Sequence, residues 1–187
     1  PLFRTVIILP WAMPGIVTAT IFMWLFHTHY GLLNDLIKRF GFAPINWLGD
    51  RNFALTTCVA VDIWGGIPFM SLLLLAAIES INLELYEQAM VDGAKAWQRF
   101  RNITLPGIKT VAIIALLLRL LGSMNAFTNI LLLTAGGPLH ASEVVGYTIY
   151  DLAFKRLDFE GAFAVSVLML AVSLIVVYAY LRQMMRD

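Results

Sequence analysis

Four long apolar stretches stand nearly free of charge along this chain. The first runs from about residue 5 to 26 and has none, and the second, 53–78, holds only Asp62. The third, 108–133, carries Arg119 inside it, and the fourth, 161–181, is uncharged. A helix needs about 20 residues to cross a bilayer core, so each stretch is a predicted span. Pro10 and Pro14 lie in the first half of the first span, where missing N–H donors and ring clashes predict a kink or a break.

The connections differ in character. Residues 27–52 are punctuated by Gly31, Gly41, Pro44, Asn46 and Gly49, and Trp24, Tyr30 and Trp47 suit a membrane interface. Residues 79–107 are the most charged stretch and read as helical. There Leu85, Ala89 and Met90 fall on one face of a short helix, and Asp92-Gly93 permits a bend. A second short helix places Ala96, Trp97 and Phe100 on one side, with Lys95, Arg99 and Arg101 largely on the other. Pro106 is expected to end it and to open the next span. Periodicity alone leaves two readings open: a helix that docks in a partner's groove, or a plain connector at the membrane surface. Residues 134–160 begin with the breaker Ala135-Gly136-Gly137-Pro138 and continue into a predicted amphipathic helix over 142–154.

Composition makes the membrane reading firm. The 187 residues are 60% hydrophobic and 13% charged, with a mean hydropathy of +0.79. Soluble domains run near 45–50% apolar and about 25% charged, so this chain has too little polar residue to cover a soluble globule. A net charge of +1 gives no field for nucleic acid. Cys58 is the single cysteine, which excludes an internal disulfide and a cysteine-cluster metal site. The opening Pro1-Leu2-Phe3-Arg4 has neither an initiator Met nor the pattern of a signal peptide, and an N-terminal part is expected to precede it. Lys and Arg counts favour a cytoplasmic 79–107 loop only weakly, seven inside against five outside.

Apart from Lys109 at the very start of the third span, Asp62 and Arg119 are the charged residues within the spans, where charge is costly and faces a cavity or a partner. They are read either as a structural pair, with backbone carbonyls as an alternative hold on Arg119, or as part of a substrate pathway. Arg119, Ser123 and Ala126 share one helical face, and Asn125 and Asn129 form a second i, i+4 pair. Gly65-Gly66 and Pro68 either permit close packing or open the backbone to a ligand. No phosphate-binding G-x-x-x-x-G-K-[ST], no H-E-x-x-H and no nucleophile turn is present. The chain is therefore read as a transport subunit and not an enzyme. A channel lacks its filter repeat here, and an ion-driven transporter its several intramembrane carboxylates.

Glu87-Gln88-Ala89, Asp92-Gly93-Ala94, then Phe100, Ile103, Leu105 and Pro106 resemble the "EAA" loop of binding-protein-dependent ABC importer permeases; Gln88 departs from the pattern. Leu9-Pro10-Trp11-Ala12-Met13-Pro14, Leu133-Thr134-Ala135-Gly136-Gly137-Pro138 and the segment from Tyr147 to Phe159 resemble the carbohydrate, maltose-type branch. This resemblance implies an all-α membrane protein, a type I ABC importer transmembrane domain with four core helices present and a cytoplasmic coupling helix. Residues 1–187 would be the C-terminal part of that domain, with N-terminal helices missing and a coupling loop at 84–106. Glu87, Ala89, Asp92, Gly93, Ala94 and Phe100 would couple to a separate ATPase. Gly66, Phe69, Arg119, Ser123 and Ala126 would face the sugar, although Ala126 replaces a polar amide of the maltose permease; the residues themselves add Asp62 and Asn125 as candidates. The implied partners are a second permease subunit, two ATP-binding subunits that hold ATP and Mg, an extracytoplasmic solute-binding protein, a sugar and membrane lipid. This chain would bind no cofactor itself. The implied location is a bacterial or archaeal cytoplasmic (inner) membrane. Two alternatives stay open: an ion-driven secondary transporter, and an ABC importer of a non-sugar solute such as a glycerol-phosphate-like compound.

Overall fold

The computed structural model describes residues 9–124 and 126–184, and these contain helices and connections but no strand. A 3-10 turn, Leu9–Ala12, leads through Pro14 into α1, Gly15–Leu25. Pro14 is extended (φ −57°, ψ 138°) just ahead of the first helical turn, and its carbonyl accepts from Thr18 N at 3.1 Å. The expected proline effect is thus a break before the helix, where a missing N–H is harmless. The part of the predicted span before residue 9 lies outside the described residues. A short amphipathic helix, α2 (Leu32–Arg39), precedes α3 (Ala54–Glu79), which passes through Pro68 and matches the second predicted span.

The charged loop folds as α4 (Leu83–Val91), a bend, and α5 (Ala96–Arg99). Pro106 does not end the second helix, contrary to expectation. A π turn, Phe100–Thr104, joins α5 directly to α6 (Leu105–Met124), and Leu105 N bonds to the carbonyl of Phe100, five residues back. The wider π turn moves a carbonyl away from the proline ring and needs no donor from it. The third predicted span, by contrast, is not one helix. It divides into α6 and α7 (Phe127–Leu133), with Ala126 at the start of α7 and its N–H on Ser123 O at 3.1 Å. Irregular backbone at membrane depth is tolerated where it lines a cavity. Beyond lie α8 (Val145–Tyr150), a second π turn (Asp151–Lys155) and α9 (Phe159–Met184), the fourth predicted span. Among the described residues, three helical stretches are long and apolar enough to cross a membrane: Ala54–Glu79, Ala96–Ser123 and Phe159–Arg182. Much of their apolar surface is uncovered by this chain, as lipid-facing or subunit-facing helices require.

α3 packs along α6, and α1 along α7. Between these pairs lies the core: Ala19 from α1 and Phe26 at its C-terminal cap, Cys58 and Val61 from α3, Ile130 and Leu133 from α7, and Tyr147 from α8. Ala19 is fully buried, and its small side chain allows α1 and α7 to approach closely. The breaker at 135–138 turns the chain back over this core. Gly136 has φ +80°, and a Cβ there would stand 2.7 Å from the Tyr147 ring, so position and conformation both demand glycine. Ser142 Oγ holds the turn by bonding Gly137 O at 2.6 Å and Thr134 Oγ1 at 2.7 Å.

Two polar clasps fix the connections. Asp151 pairs with Lys155 at 3.4 Å and Arg156 at 2.7 Å, and Lys155 also lies over the Tyr147 ring. Burial would raise the pKa of Asp151, but the hydrogen bonds and charges of Arg156 and Lys155 outweigh it and hold the carboxyl below its ordinary value. The clasp contributes fully above the unfolded-chain pKa and is lost only as pH falls through the lowered one. The other clasp is Asn34, which has no exposed surface. Its Nδ2 donates to Ile45 O (2.8 Å) and Thr28 O (3.1 Å). Its Oδ1 accepts from Ile45 N (3.0 Å) and Trp47 Nε1 (3.1 Å). Asn34→Ala strands several of these buried groups and is expected to cost about 2–3 kcal/mol. The thermal midpoint of the detergent-solubilised full-length protein should fall, and a protease should cut the 27–52 connection faster; an unchanged midpoint would contradict the role given to Asn34.

Candidate functional site

Asp62 stands in the third turn of α3, and Arg119 near the end of α6. Because these helices pack together, the two side chains meet. Arg119 Nη2 pairs with Asp62 Oδ2 and also donates to the Asp62 backbone carbonyl at 2.6 Å. The carboxylate pair and the carbonyl contact, alternatives in the sequence, are thus both realised. Gly66, one turn along α3, explains the closeness: a Cβ there would lie 2.7 Å from Arg119 Cζ. The guanidinium rests on bare backbone. An unpaired Arg at the centre of a membrane helix costs about 2.5–3.5 kcal/mol on insertion scales, and the pair offsets that cost. Ser123, one turn beyond Arg119, approaches the same carboxylate, its Oγ 3.4 Å from Asp62 Oδ2.

The pair separates two cavities. One, of about 330 Å³, is walled by α3, α6 and α7, with Cys58, Ser123, Ala126 and Asn129 beside the pair. The other, of about 240 Å³, opens toward the N-terminal turn, with Trp11, Thr18, Gly65 and Asn129 beside the pair. Small-molecule sites run from about 300 to 1,000 Å³, so the larger is of suitable size. The walls offer an amide, hydroxyls, an indole and one ion pair. Such groups can bind a polyol through hydrogen bonds and an aromatic face.

Asp62, Arg119, Ser123 and Ala126 converge, and Gly66 lies beneath them. Phe69 does not join them: it is 38% exposed and lines neither cavity. It shares the Asp62–Gly66 face of α3 but lies a turn beyond the guanidinium. Asn125 lies outside the described residues. Asn129 lines both cavities; an amide inside an apolar stretch was its signal in the sequence. Trp11 and Thr18 had no local signal, because only the packing of the 3-10 turn on α3 and of α1 on α7 brings them to the pair.

The loop residues form a compact device of their own. Asp92 caps α4, and Gly93 takes φ +75°. Ala94 N bonds to Ala89 O (2.9 Å) and Gly93 N to Met90 O (3.1 Å), the paired bonds of a Schellman stop. The Gln98 side chain then accepts from Lys95 N at 2.7 Å and starts α5. Tyr86 OH meets Thr104 Oγ1 at 2.7 Å and ties α4 to the π turn. Tyr86 is thus the inward anchor of α4. Leu85, Met90 and Glu87 are exposed, as is Phe100, which stacks on Trp97 with centroids 5.5 Å apart. The apolar side predicted from Leu85 and Met90 is not packed against the membrane helices of this chain.

The glycine pair separates the two readings the sequence left open. Gly65 faces open space, whereas Gly66 supports Arg119. Gly66→Ala must displace the guanidinium and is expected to lower stability by about 1–3 kcal/mol. Gly65→Ala is expected to be neutral or to stabilise by up to about 1 kcal/mol, through helix propensity. Thermal midpoints of the two variants check this, and equal midpoints would contradict the packing described.

Comparison with known proteins places this architecture. The trehalose/maltose transport system permease protein MalF of Thermococcus litoralis is 37% identical over 98% of this chain and 63% of its own length. The sulfoquinovosyl glycerol transport system permease protein SmoG of Agrobacterium fabrum is 36% identical over 96% of this chain and 58% of its own. The crystal structure of a bacterial ABC transporter that imports the acidic polysaccharide alginate matches with a TM-score of 0.89. That match has 27% identity and covers 99% of this chain and 65% of that one. The chain thus spans about three fifths of the length of these relatives. The family model for binding-protein-dependent transport system inner membrane components matches residues 1–186, and this chain is a member of that family of membrane permeases.

Proposed function

We propose that this chain forms part of one permease subunit of an ATP-driven, binding-protein-dependent sugar importer, and that it couples the pathway to a separate ATPase. The observation that carries this reading is one continuous rod. Helix α5 runs through the π turn into α6 without a break, so Ala96–Ser123 is a single helical stretch of 28 residues. At 1.5 Å per residue it extends about 40 Å. One end is the exposed loop of α4 and α5; the other carries Arg119 and Ser123 into the cavity wall. A push on the loop moves the cavity wall directly, which is the mechanical requirement of alternating access.

In this reading the 84–106 loop is cytoplasmic, and Glu87, Ala89, Asp92, Gly93, Ala94 and Phe100 form the coupling surface. Leu85, Met90, Trp97 and Phe100, uncovered in this chain, would fill a groove of the ATPase subunit, which holds ATP and Mg. The pathway would be completed by a second permease subunit, and an extracytoplasmic binding protein would deliver solute to the opposite face. One structural relative is a bacterial alginate ABC transporter in complex with an alginate pentasaccharide-bound periplasmic protein (TM-score 0.85, 27% identity), which supports that partner. The inner membrane is the proposed location, in keeping with the family description. Relatives named for trehalose/maltose, galactooligosaccharides and alginate support a saccharide as solute without fixing its charge.

The test is radiolabelled sugar uptake into proteoliposomes that hold the full-length permease pair, its ATPase and its binding protein. ATP-dependent uptake of a mono- or oligosaccharide is expected. Uptake driven instead by a proton or sodium gradient without ATP would overturn the reading. Gly93→Val forces a β-branched side chain into φ +75°, at a cost of about 1–2 kcal/mol. Where that strain falls on the transport step it is expected to cut ATP-driven uptake at least about fivefold, by the 1.4 kcal/mol-per-decade rule, while membrane insertion stays normal. Glu87→Lys should do the same by reversing charge on the exposed loop. Wild-type uptake in both variants would remove the coupling assignment.

A further inference from the structure

The Asp62–Arg119 pair does more than hold two helices together. Among the described residues that wall the two cavities, these two are the only charged side chains. All else is apolar, amide, hydroxyl, thiol or indole: Trp11, Thr18, Cys58, Ser123 and Asn129 are the polar or aromatic groups beside them. Among the described wall residues, the formal charge that faces the cavities therefore comes from one pair. Arg119 is held so that its charge is cancelled where it enters the site: Nη2 engages both the Asp62 carboxylate and the Asp62 carbonyl. The guanidinium is also pressed flat on Gly66, whose Cβ position lies 2.8 Å from Nε and 3.0 Å from Nη1. Neither group is sealed away; the side chains of Arg119 and Asp62 are 28% and 23% exposed. A solute in either cavity meets a neutral pair, not a free cation.

We infer that Asp62 is the specificity-determining residue that keeps this pathway for uncharged solutes, by cancelling the Arg119 charge that would otherwise recruit anions. The inference rests on the saccharide-import reading for its choice of solute, but its electrostatic content is independent of it. An anionic sugar has to displace a carboxylate already seated on Arg119, and it leaves Asp62 unpaired at membrane depth, which is costly. A neutral polyol needs neither change. It can bond to Asn129, Ser123 and the outer edge of the pair while the pair stays closed. Without the carboxylate, the same cavity has an uncompensated guanidinium, whose planar fork suits a carboxylate or sulfonate.

The test reads charge inside the cavity and solute preference separately, on the assembled full-length permease pair in nanodiscs. A thiol is introduced by Ala126→Cys, in the cavity wall, in a Cys58→Ala background. Its reaction rates with anionic sulfonatoethyl and cationic trimethylammonioethyl methanethiosulfonate are compared. Asp62→Asn is expected to raise the anion-to-cation rate ratio about tenfold or more, as a unit charge several ångströms away would. Arg119→Gln is expected to lower it by a similar factor, and the double variant to return it near the parent value. The double variant and Arg119→Gln together decide the matter even if Asp62→Asn does not fold. Ratios that stay within about twofold across the folded variants, against the tenfold that one unit charge produces, would overturn the charge-cancelling role. Saturation-transfer NMR then compares maltose with maltobionate, its carboxylate counterpart, on the parent and the Asp62→Asn protein, or, if that variant does not fold, on Arg119→Gln and the double variant, where removing the unpaired carboxylate is expected to shift preference toward maltobionate. The parent and the double variant are expected to favour maltose, and Asp62→Asn to shift preference toward maltobionate about tenfold. Shifted thiol ratios with an unshifted sugar preference would overturn the selectivity claim alone. Failure of the sugar-import reading shows elsewhere, as absent ATP-dependent uptake of any saccharide, while the thiol ratios still decide the charge.

Discussion

The contact on which this structure depends is the approach of Arg119 to the backbone of α3 at Gly66. A cation at membrane depth must find an opposite charge or a carbonyl, and here it finds both on Asp62. That requirement sets the register of α6 against α3, because the guanidinium can reach Asp62 only where no Cβ stands in its way. With α3 and α6 in register, the end of α6 and the start of α7 fall beside Cys58 and Asp62 and create the cavity wall. The apolar contacts of the core then need only fill shape. They come from small or medium residues such as Ala19, Cys58 and Val61, which bring no directional demand of their own.

The same helix carries two opposite mechanical features. From α5 through Pro106 it is continuous, because the π turn at Phe100–Thr104 absorbs the proline that would otherwise break it. At Ala126 it is interrupted, and the break leaves Ala126 and Asn129 in the cavity wall. In the proposed importer, continuity serves the end that would transmit motion and interruption the end that would meet a solute. The Schellman stop at Gly93 and the Tyr86–Thr104 bond complete the loop end, so that α4 and α5 move with the rod. On the other side of the proposed membrane, Asn34 and Ser142 serve the connections by satisfying buried polar groups where the chain leaves helix, and the Asp151 clasp pins the second π turn through its ion pairs.

Much of the helical plan was legible because hydrophobic length is a local property. The second and fourth spans, the break at Pro14 and the bend at Asp92-Gly93 each follow from residues adjacent in sequence. The loop motif was legible for the same reason: Glu87 to Ala94 is one turn-and-stop unit whose hydrogen bonds close within six residues. Pro106 misled because its meaning depends on the turn before it, and a π turn has no plain signature in composition. The division of the third span at Ala126 was equally hidden, since its apolar character continues through Phe127–Leu133.

The sequence by itself determined that this chain lies in a membrane, where its apolar helices run, and which loop carries the family pattern. Each of these rests on short-range composition and on the approximate length of a bilayer. Tertiary structure alone decided that Asp62 and Arg119, 57 residues apart, form a pair. It also decided that Gly66 is the shelf beneath them while Gly65 is not. It brought Trp11 and Thr18 to the cavity and left Phe69 out. The physical reason is one of range: periodicity fixes which side of a helix a residue occupies, but only packing against a second helix fixes what that side meets.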